Sequence, residues 1–177
     1  MNGYLELILG PMFSGKTSYL INVYNQPENV EKKMKVINYS LDTRYDDKML
    51  SSHDLVKIPC CFASNIEDEL KSCLTYDVIL INEGQFFPDL KKCVLELVEQ
   101  HNKEVYICGL DSDFQRNKFG DLLDLIPYCN KMTKLNAKCE CGDSAIHSHR
   151  KVHSTEQVLI GSDNYQPLCR KCYHNKN

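Results

Sequence analysis

Gly10-Pro11-Met12-Phe13-Ser14-Gly15-Lys16-Thr17 is the stretch that most limits what this chain can fold into. It matches G-x-x-x-x-G-K-[ST], the spacing of a loop that wraps phosphates, and such a loop works only between a strand and the start of a helix. Both flanks are present. Tyr4–Gly10 is a short apolar run that reads as a buried strand, and from Gly15 to about Asn25 the apolar spacing is helical until Pro27 stops it. Glycines let backbone N–H groups turn inward on the phosphates, with the positive end of the helix dipole behind them. Lys16 then reaches the outer phosphate oxygens, and Thr17 offers a hydroxyl to Mg²⁺. Gly10 to Thr17 are therefore predicted to hold a nucleoside triphosphate.

The alternation continues beyond that loop. Val36–Tyr39, Asp77–Ile81 and Glu104–Cys108 are β-rich runs. Ile66–Leu74 reads as a helix, an amphipathic helix from about Asp89 to His101 separates the last two strands, and Asp42–Asp54 is a polar stretch. Strands alternating with helices predict an α/β fold with a mainly parallel sheet flanked by helices, of the P-loop NTPase kind. After about Asn136 the periodicity fades and cysteines, histidines and polar residues crowd in. We divide the chain there, into an α/β domain over 1–136 and a small appendage over 137–177 that cannot bury much core unaided. The net charge of −3 offers no basic field for nucleic acid. No apolar run approaches the ~20 residues of a membrane helix, and Met1-Asn2-Gly3-Tyr4 opens directly into the first strand, so a soluble cytoplasmic protein without signal or anchor is expected.

Ten cysteines in such a chain point to a reducing compartment with some metal binding. Cys169-Arg170-Lys171-Cys172 is a C-x-x-C, and Cys139-Glu140-Cys141 supplies a second pair upstream. Four thiolates in tetrahedral array make a structural Zn²⁺ set, which would stabilise this core-poor segment. The short C-x-C spacing strains one ligand and leaves His147, His149 or His153 as substitutes. A zinc ribbon gripping nucleic acid lacks a basic patch. Cysteines 60, 61, 73, 93, 108 and 129 read as small hydrophobes in or beside the core.

The strand Val78–Ile81 ends in Asn82-Glu83-Gly84. Folds with this phosphate loop usually place an acid that holds the Mg²⁺ shell at a second strand end. Here an amide stands first and a carboxylate second, and Glu83 reads either as a working base or as a solvated or helix-capping acid. Together with G-P-M-F-S-G-K-T, the blocks D-T-R-Y (42–45), N-E-G-Q-F-F-P-D (82–89), L-D-S-D-F-Q-R (110–116) and G-S-D-N-Y-Q-P-L-C-R-K-C-Y (161–173) resemble the type II thymidine kinases, the cytosolic and poxviral kind. The likeness runs from about residue 5 to 173.

The resemblance implies phosphoryl transfer from ATP with Mg²⁺ to the 5′-hydroxyl of thymidine, with deoxyuridine also accepted. It makes Glu83 the base that takes the hydroxyl proton and places Asn82 in the Mg²⁺ shell. It implies a loop over Ser154–Tyr165, tied at its base by zinc, that reads thymine through the backbone of Gln157, Val158, Leu159, Ile160 and Gly161 with Tyr165 nearby. Ser148 matches a position near the thymine methyl. Met12, Phe86, Leu110, Phe114 and Phe119 match the apolar walls, for which plain core packing is the alternative. Arg44 is a candidate for holding the transferring phosphoryl and Asp42 for orienting Arg44 or a sugar hydroxyl; each also reads as a surface charge. A homotetramer and inhibition by dTTP are further implications. Two rival readings stay open: a kinase of this fold with another favoured nucleoside, such as deoxyuridine or a wider set, and a nucleotide-binding regulator without catalysis, which Asn82 admits and Glu83 opposes.

Overall fold

The apolar runs become the centre of a sheet, and the phosphate loop leaves its edge. The computed structural model describes residues 2–29, 31–40, 49–51, 56–159 and 161–176. In chain order its elements are β1 (Tyr4–Leu9), α1 (Lys16–Tyr24), β2 (Met34–Tyr39), β3 (Met49–Ser51), β4 (Lys57–Pro59), β5 (Cys61–Ala63), α2 (Glu67–Cys73) and β6 (Val78–Ile81). There follow α3 (Leu90–Leu95), β7 (Glu104–Gly109), β8 (Lys131–Lys134), β9 (Ala137–Lys138), β10 (Ser144–Ala145), β11 (His147–Arg150), β12 (Tyr165–Leu168) and α4 (Arg170–Lys176). Six strands form one sheet in the order β5-β2-β6-β7-β1-β8. Every pairing within it is parallel, so all the strands end on the same edge. Ligands of open α/β sheets bind at that edge.

Helices cover both faces, which is why the central strands are apolar throughout and not alternating. Leu5, Leu7 and Leu9 of β1, Ile79 and Ile81 of β6, and Val105 and Ile107 of β7 pack on one side with Leu90, Val94 and Leu97. Ile8, Val78, Leu80, Tyr106 and Cys108 face the other side with Leu20, Ile21 and Val23 of α1. All four residues of β6 are completely buried. One charge interrupts the second face. Glu6, almost fully buried, accepts hydrogen bonds from Tyr4, Tyr19 and Thr133 and an ion pair from Lys131 at 3.0 Å. Burial pushes its carboxyl up, but Lys131, Tyr19 and Tyr4 outweigh this and hold it below the usual range.

The expected helix from Asp89 to His101 is present but not uniform. After α3 the segment Glu96–Gln100 widens into a π-helical turn, closed by His101 N–H on the Glu96 carbonyl at 3.2 Å. Asp89 stands before that helix yet serves another, accepting from Ile66 N–H (3.1 Å) and Glu67 N–H (2.8 Å) at the start of α2. The polar strand β8, on the sheet's edge beside β1, has no counterpart in the expected elements. Of the six cysteines expected in or beside the core, Cys73, Cys93 and Cys108 are buried, whereas Cys60, Cys61 and Cys129 are half-buried against it. Past β8 the chain builds two short antiparallel pairs, β9 with β10 and β11 with β12. Their core is separate and small: Cys139, Ala145, Leu168, Cys169 and Tyr173.

Candidate active site

The ends of β1, β2, β6 and β7 and the β11–β12 arm converge on one cavity of about 520 Å³. β1 delivers the phosphate loop. Phe13 (φ 64°) and Gly15 (φ 82°) both take left-handed backbone, which turns the chain tightly enough to start α1 at Lys16. Phe13 is a non-glycine residue in that region, a local strain of the kind that clusters at functional loops. The Lys16 ammonium is buried over the loop, donating to the Pro11 carbonyl (2.7 Å) and reaching the Ser14 hydroxyl at 3.5 Å. The Thr17 hydroxyl lies 3.4 Å from Asn82 Oδ1. Two neutral oxygens thus stand side by side at the loop's exit, a donor set that suits an oxygen-seeking Mg²⁺ ion alongside triphosphate oxygens.

β6 delivers Asn82 and Glu83. Glu83 takes left-handed backbone (φ 56°), again unusual for a side chain with a Cβ, and Gly84 then opens a single 3₁₀ turn to Phe86. The Glu83 carboxylate accepts from Gln85 Nε2 at 2.6 Å, and the Gln85 amide oxygen accepts from Leu110 N–H at 3.0 Å. Gln85 is buried, so this chain of bonds fixes the direction of Glu83 from the β7 side. Gly120, at φ 61°, lies so close to the Gln85 carbonyl that a Cβ there would collide with it.

Asn82 is likewise locked. The Tyr39 N–H donates to Asn38 Oδ1 (3.0 Å), and that same oxygen accepts from Asn82 Nδ2 (2.8 Å). An acceptor fixed by a backbone N–H requires a donor opposite, so the amide of Asn82 must turn its oxygen the other way. There it meets the Thr17 hydroxyl and the Cys108 thiol, at 3.4 and 2.9 Å.

The apolar walls expected from the sequence all line the cavity: Met12, Phe86, Leu110, Phe114 and Phe119. Phe86 stacks on Tyr39 with ring centres 4.9 Å apart and meets Phe119 edge-on at 5.2 Å, giving a rigid aromatic side. From the arm come Ser148, Gln157, Val158, Leu159, Gly161 and Tyr165. Ser148 is buried, and its hydroxyl accepts from Met12 N–H at 3.0 Å, tying the arm directly to the phosphate loop. Asp42, Arg44 and Ile160 lie outside the described residues. Asn38, Tyr39, Gln85, Asp113 and Arg150 also shape the site without being expected from the sequence. Of these, Gln85 and Asp113 carry a local signal, Gln85 two residues after Glu83 and Asp113 directly before Phe114, each within a block quoted above.

The four cysteines Cys139, Cys141, Cys169 and Cys172 bring their sulfurs within 4.8 Å of one another. Both sulfurs of the C-x-C pair reach the cluster, and a tight turn follows them. Cys139 N–H bonds the Asp143 carbonyl, Gly142 N–H returns to the Cys139 carbonyl, and Gly142 adopts φ 93°. Among the described residues no histidine joins the cluster, and His147 and His149 face the Tyr173 ring. Burial raises the Cys139 thiol, yet hydrogen bonds from the N–H groups and side chains of Cys141 and Cys169 together outweigh this and bring it down to about 7. Four convergent thiols, one of them easily ionised, are a donor set for a tetrahedral Zn²⁺ ion.

The likeness to known proteins agrees with this geometry. A family model described as thymidine kinase matches residues 3–173. A thymidine kinase of sheeppox virus is 39% identical over 173 residues, covering 97% of both chains. Thymidine kinase 1 of Dictyostelium discoideum is 41% identical over 178 residues, covering 97% of this chain and 78% of its own. That of vaccinia virus (strain Western Reserve) is 39% identical, with 97% of each chain covered. A match across nearly every element described above, from β1 to α4, places the chain in the thymidine kinase family.

Proposed function

We propose that this protein transfers the γ-phosphoryl of ATP to the 5′-hydroxyl of thymidine, giving dTMP and ADP, and that it accepts deoxyuridine as well. One observation carries the reading: Glu83, Lys16 and Thr17 line the same cavity as the aromatic walls and the Gln157–Leu159 arm. Phosphate chemistry and a flat, apolar base-sized slot therefore share one space. Lys16 and the loop N–H groups hold the triphosphate and take up the charge that develops on its oxygens. Glu83, aimed by Gln85, accepts the 5′-hydroxyl proton as that oxygen bonds to the γ-phosphorus and the bond to the ADP oxygen breaks. Thr17 and Asn82 are the residues that would hold Mg²⁺, whose bound charge neutralises the phosphate oxygens. In this reading Asp42 and Arg44 serve the phosphoryl or the sugar, and Ile160 belongs to the base-reading backbone.

The cysteine cluster holds structural Zn²⁺ and takes no part in the chemistry, since four thiolates leave no open position. The separate core around Tyr173 supports residues 137–177 as a subdomain of their own beside the 1–136 kinase domain. On the family likeness alone, the reading extends to a homotetramer, inhibition by dTTP, no nucleic-acid partner and a cytoplasmic location. No described helix is long and apolar enough to cross a membrane. The test is transfer of label from [γ-³²P]ATP in Mg²⁺ across a panel of nucleosides. Thymidine should be the preferred acceptor with deoxyuridine next, and a preference for purine nucleosides or deoxycytidine would overturn the reading.

A further inference from the structure

Arg150 ends β11, opposite Tyr165 of β12, and is buried. No carboxylate meets its guanidinium among the described residues. Instead Nη1 donates to the carbonyls of Ser154 (3.2 Å) and Glu156, and Nη2 donates to the Gln157 carbonyl (3.0 Å) and the Tyr165 hydroxyl (2.7 Å). Its Cζ lies 3.8 Å from the Phe114 ring centre, over the ring face. A buried cation with only neutral partners is costly, and a fork of donors that gathers three carbonyls of one loop is something only arginine offers.

The loop so gathered is the one whose next residues enter the cavity. Val158 and Leu159 line it beside Gln157, Phe114 and Tyr165, so the groups that Arg150 holds are themselves part of the pocket wall. Gln157 in turn reaches across to Asp113 Oδ2 (3.0 Å) and the Lys118 carbonyl (3.3 Å), closing the loop over the site.

We propose that Arg150 is a positioning residue for nucleoside recognition. It sets the loop carbonyls and the Phe114 ring so that the 157–159 backbone meets the base, and it touches neither ATP nor the reacting atoms. The inference rests on the thymidine kinase reading and goes beyond it by assigning the base-side geometry to a residue outside the cavity lining. The triphosphate side is built from the β1 and β6 strand ends, so the two halves of the site should respond differently when Arg150 is changed.

The experiment is steady-state kinetics of the full-length Arg150→Met and Arg150→Lys proteins, with melting temperature and zinc content measured on the same samples. Both variants should raise the thymidine KM by roughly ten- to a hundred-fold, while the ATP KM and the kcat at saturation stay within about threefold, as expected for loss of substrate-positioning contacts. Lysine should not rescue, because it keeps the charge but not the planar fork. A lysine variant with the wild-type thymidine KM overturns the proposal. So does a variant whose KM values and kcat shift together, or one that loses its fold or its zinc, since each assigns Arg150 a purely structural role. A wild-type protein that does not phosphorylate thymidine would instead sink the functional reading itself.

Discussion

Asn82→Asp replaces one nitrogen by oxygen at the most constrained position of the site. The side chain is 1% exposed, and its Nδ2 lies 2.8 Å from Asn38 Oδ1. With a carboxylate, two acceptors would face each other at that distance. Asn38 can relieve this only by turning its own amide, which takes the oxygen away from the Tyr39 N–H it now accepts from. Either way a buried hydrogen bond at this strand end is lost, at a cost of about 1–3 kcal/mol. Against this, a full negative charge acting on a divalent ion through one layer of water contributes on the order of 1–2 kcal/mol even with water-like screening, close to tenfold in affinity.

The two effects separate by condition. Without metal or nucleotide, the Asn82→Asp protein should melt several degrees below the parent. With Mg²⁺ titrated at saturating ATP and thymidine, its half-saturating Mg²⁺ should fall severalfold. Asn38→Ala should destabilise the parent by removing the oxygen that Asn82 Nδ2 donates to at 2.8 Å, and do so less in the Asn82→Asp background, where it removes a repelling oxygen. A double-mutant cycle for residues 38 and 82 should therefore show coupling of about 1 kcal/mol or more. Additive effects, or an unchanged Mg²⁺ requirement in Asn82→Asp, would refute the account of this strand end.

Glu83→Gln keeps the shape and the contact with Gln85 but removes the base, so kcat should fall by roughly 10²–10⁴-fold with ATP affinity little changed; near-normal turnover would hand the proton to another group. Gly120→Ala should lower kcat without altering zinc content, because a Cβ there drives the Gln85 carbonyl away and loosens the partner of Glu83; kinetics indistinguishable from the parent would show that Gln85 does not aim the base. Cys169→Ser, or removal of zinc by a chelator, should weaken thymidine binding more than ATP binding, read by calorimetry with each ligand alone; metal analysis without stoichiometric zinc would end that argument.

Much of the fold is legible in the sequence because its physics is local. A phosphate loop needs a strand before it and a helix after it, and both are readable from Tyr4 to Asn25. β6 can be recognised because helices cover both faces of the sheet, which demands an unbroken apolar run. β8 escapes for the converse reason. Lys131-Met132-Thr133-Lys134 lies on an edge with a single sheet neighbour and is largely exposed, so nothing requires it to be apolar. The π-helical turn after α3 likewise leaves the apolar spacing of its segment intact and gives no sign in composition.

The candidate site divides along the same line. Residues set by backbone geometry, such as Gly15, Gly84 and the aromatic walls, stand in short blocks and can be read one block at a time. Residues set by a polar partner cannot. Asn38 and Asn82 are 44 positions apart, as are Asp113 and Gln157, and each pair exists only because the parallel sheet or the arm brings distant loops to one edge. Arg150 reads as one more charge in a polar tail until the carbonyls of residues 154, 156 and 157 are seen around it. The same reasoning explains the amide that stands where an acid is usual. On the proposed function, residue 82 would answer to two neighbours at once, a metal shell that favours negative charge and Asn38 Oδ1, which demands a donor. The second is always present, whereas the first arrives only with nucleotide and Mg²⁺. An amide satisfies Asn38 and still turns an oxygen toward Thr17, so on the proposed Mg²⁺ role it would give up metal affinity and keep the strand end intact before nucleotide and metal arrive.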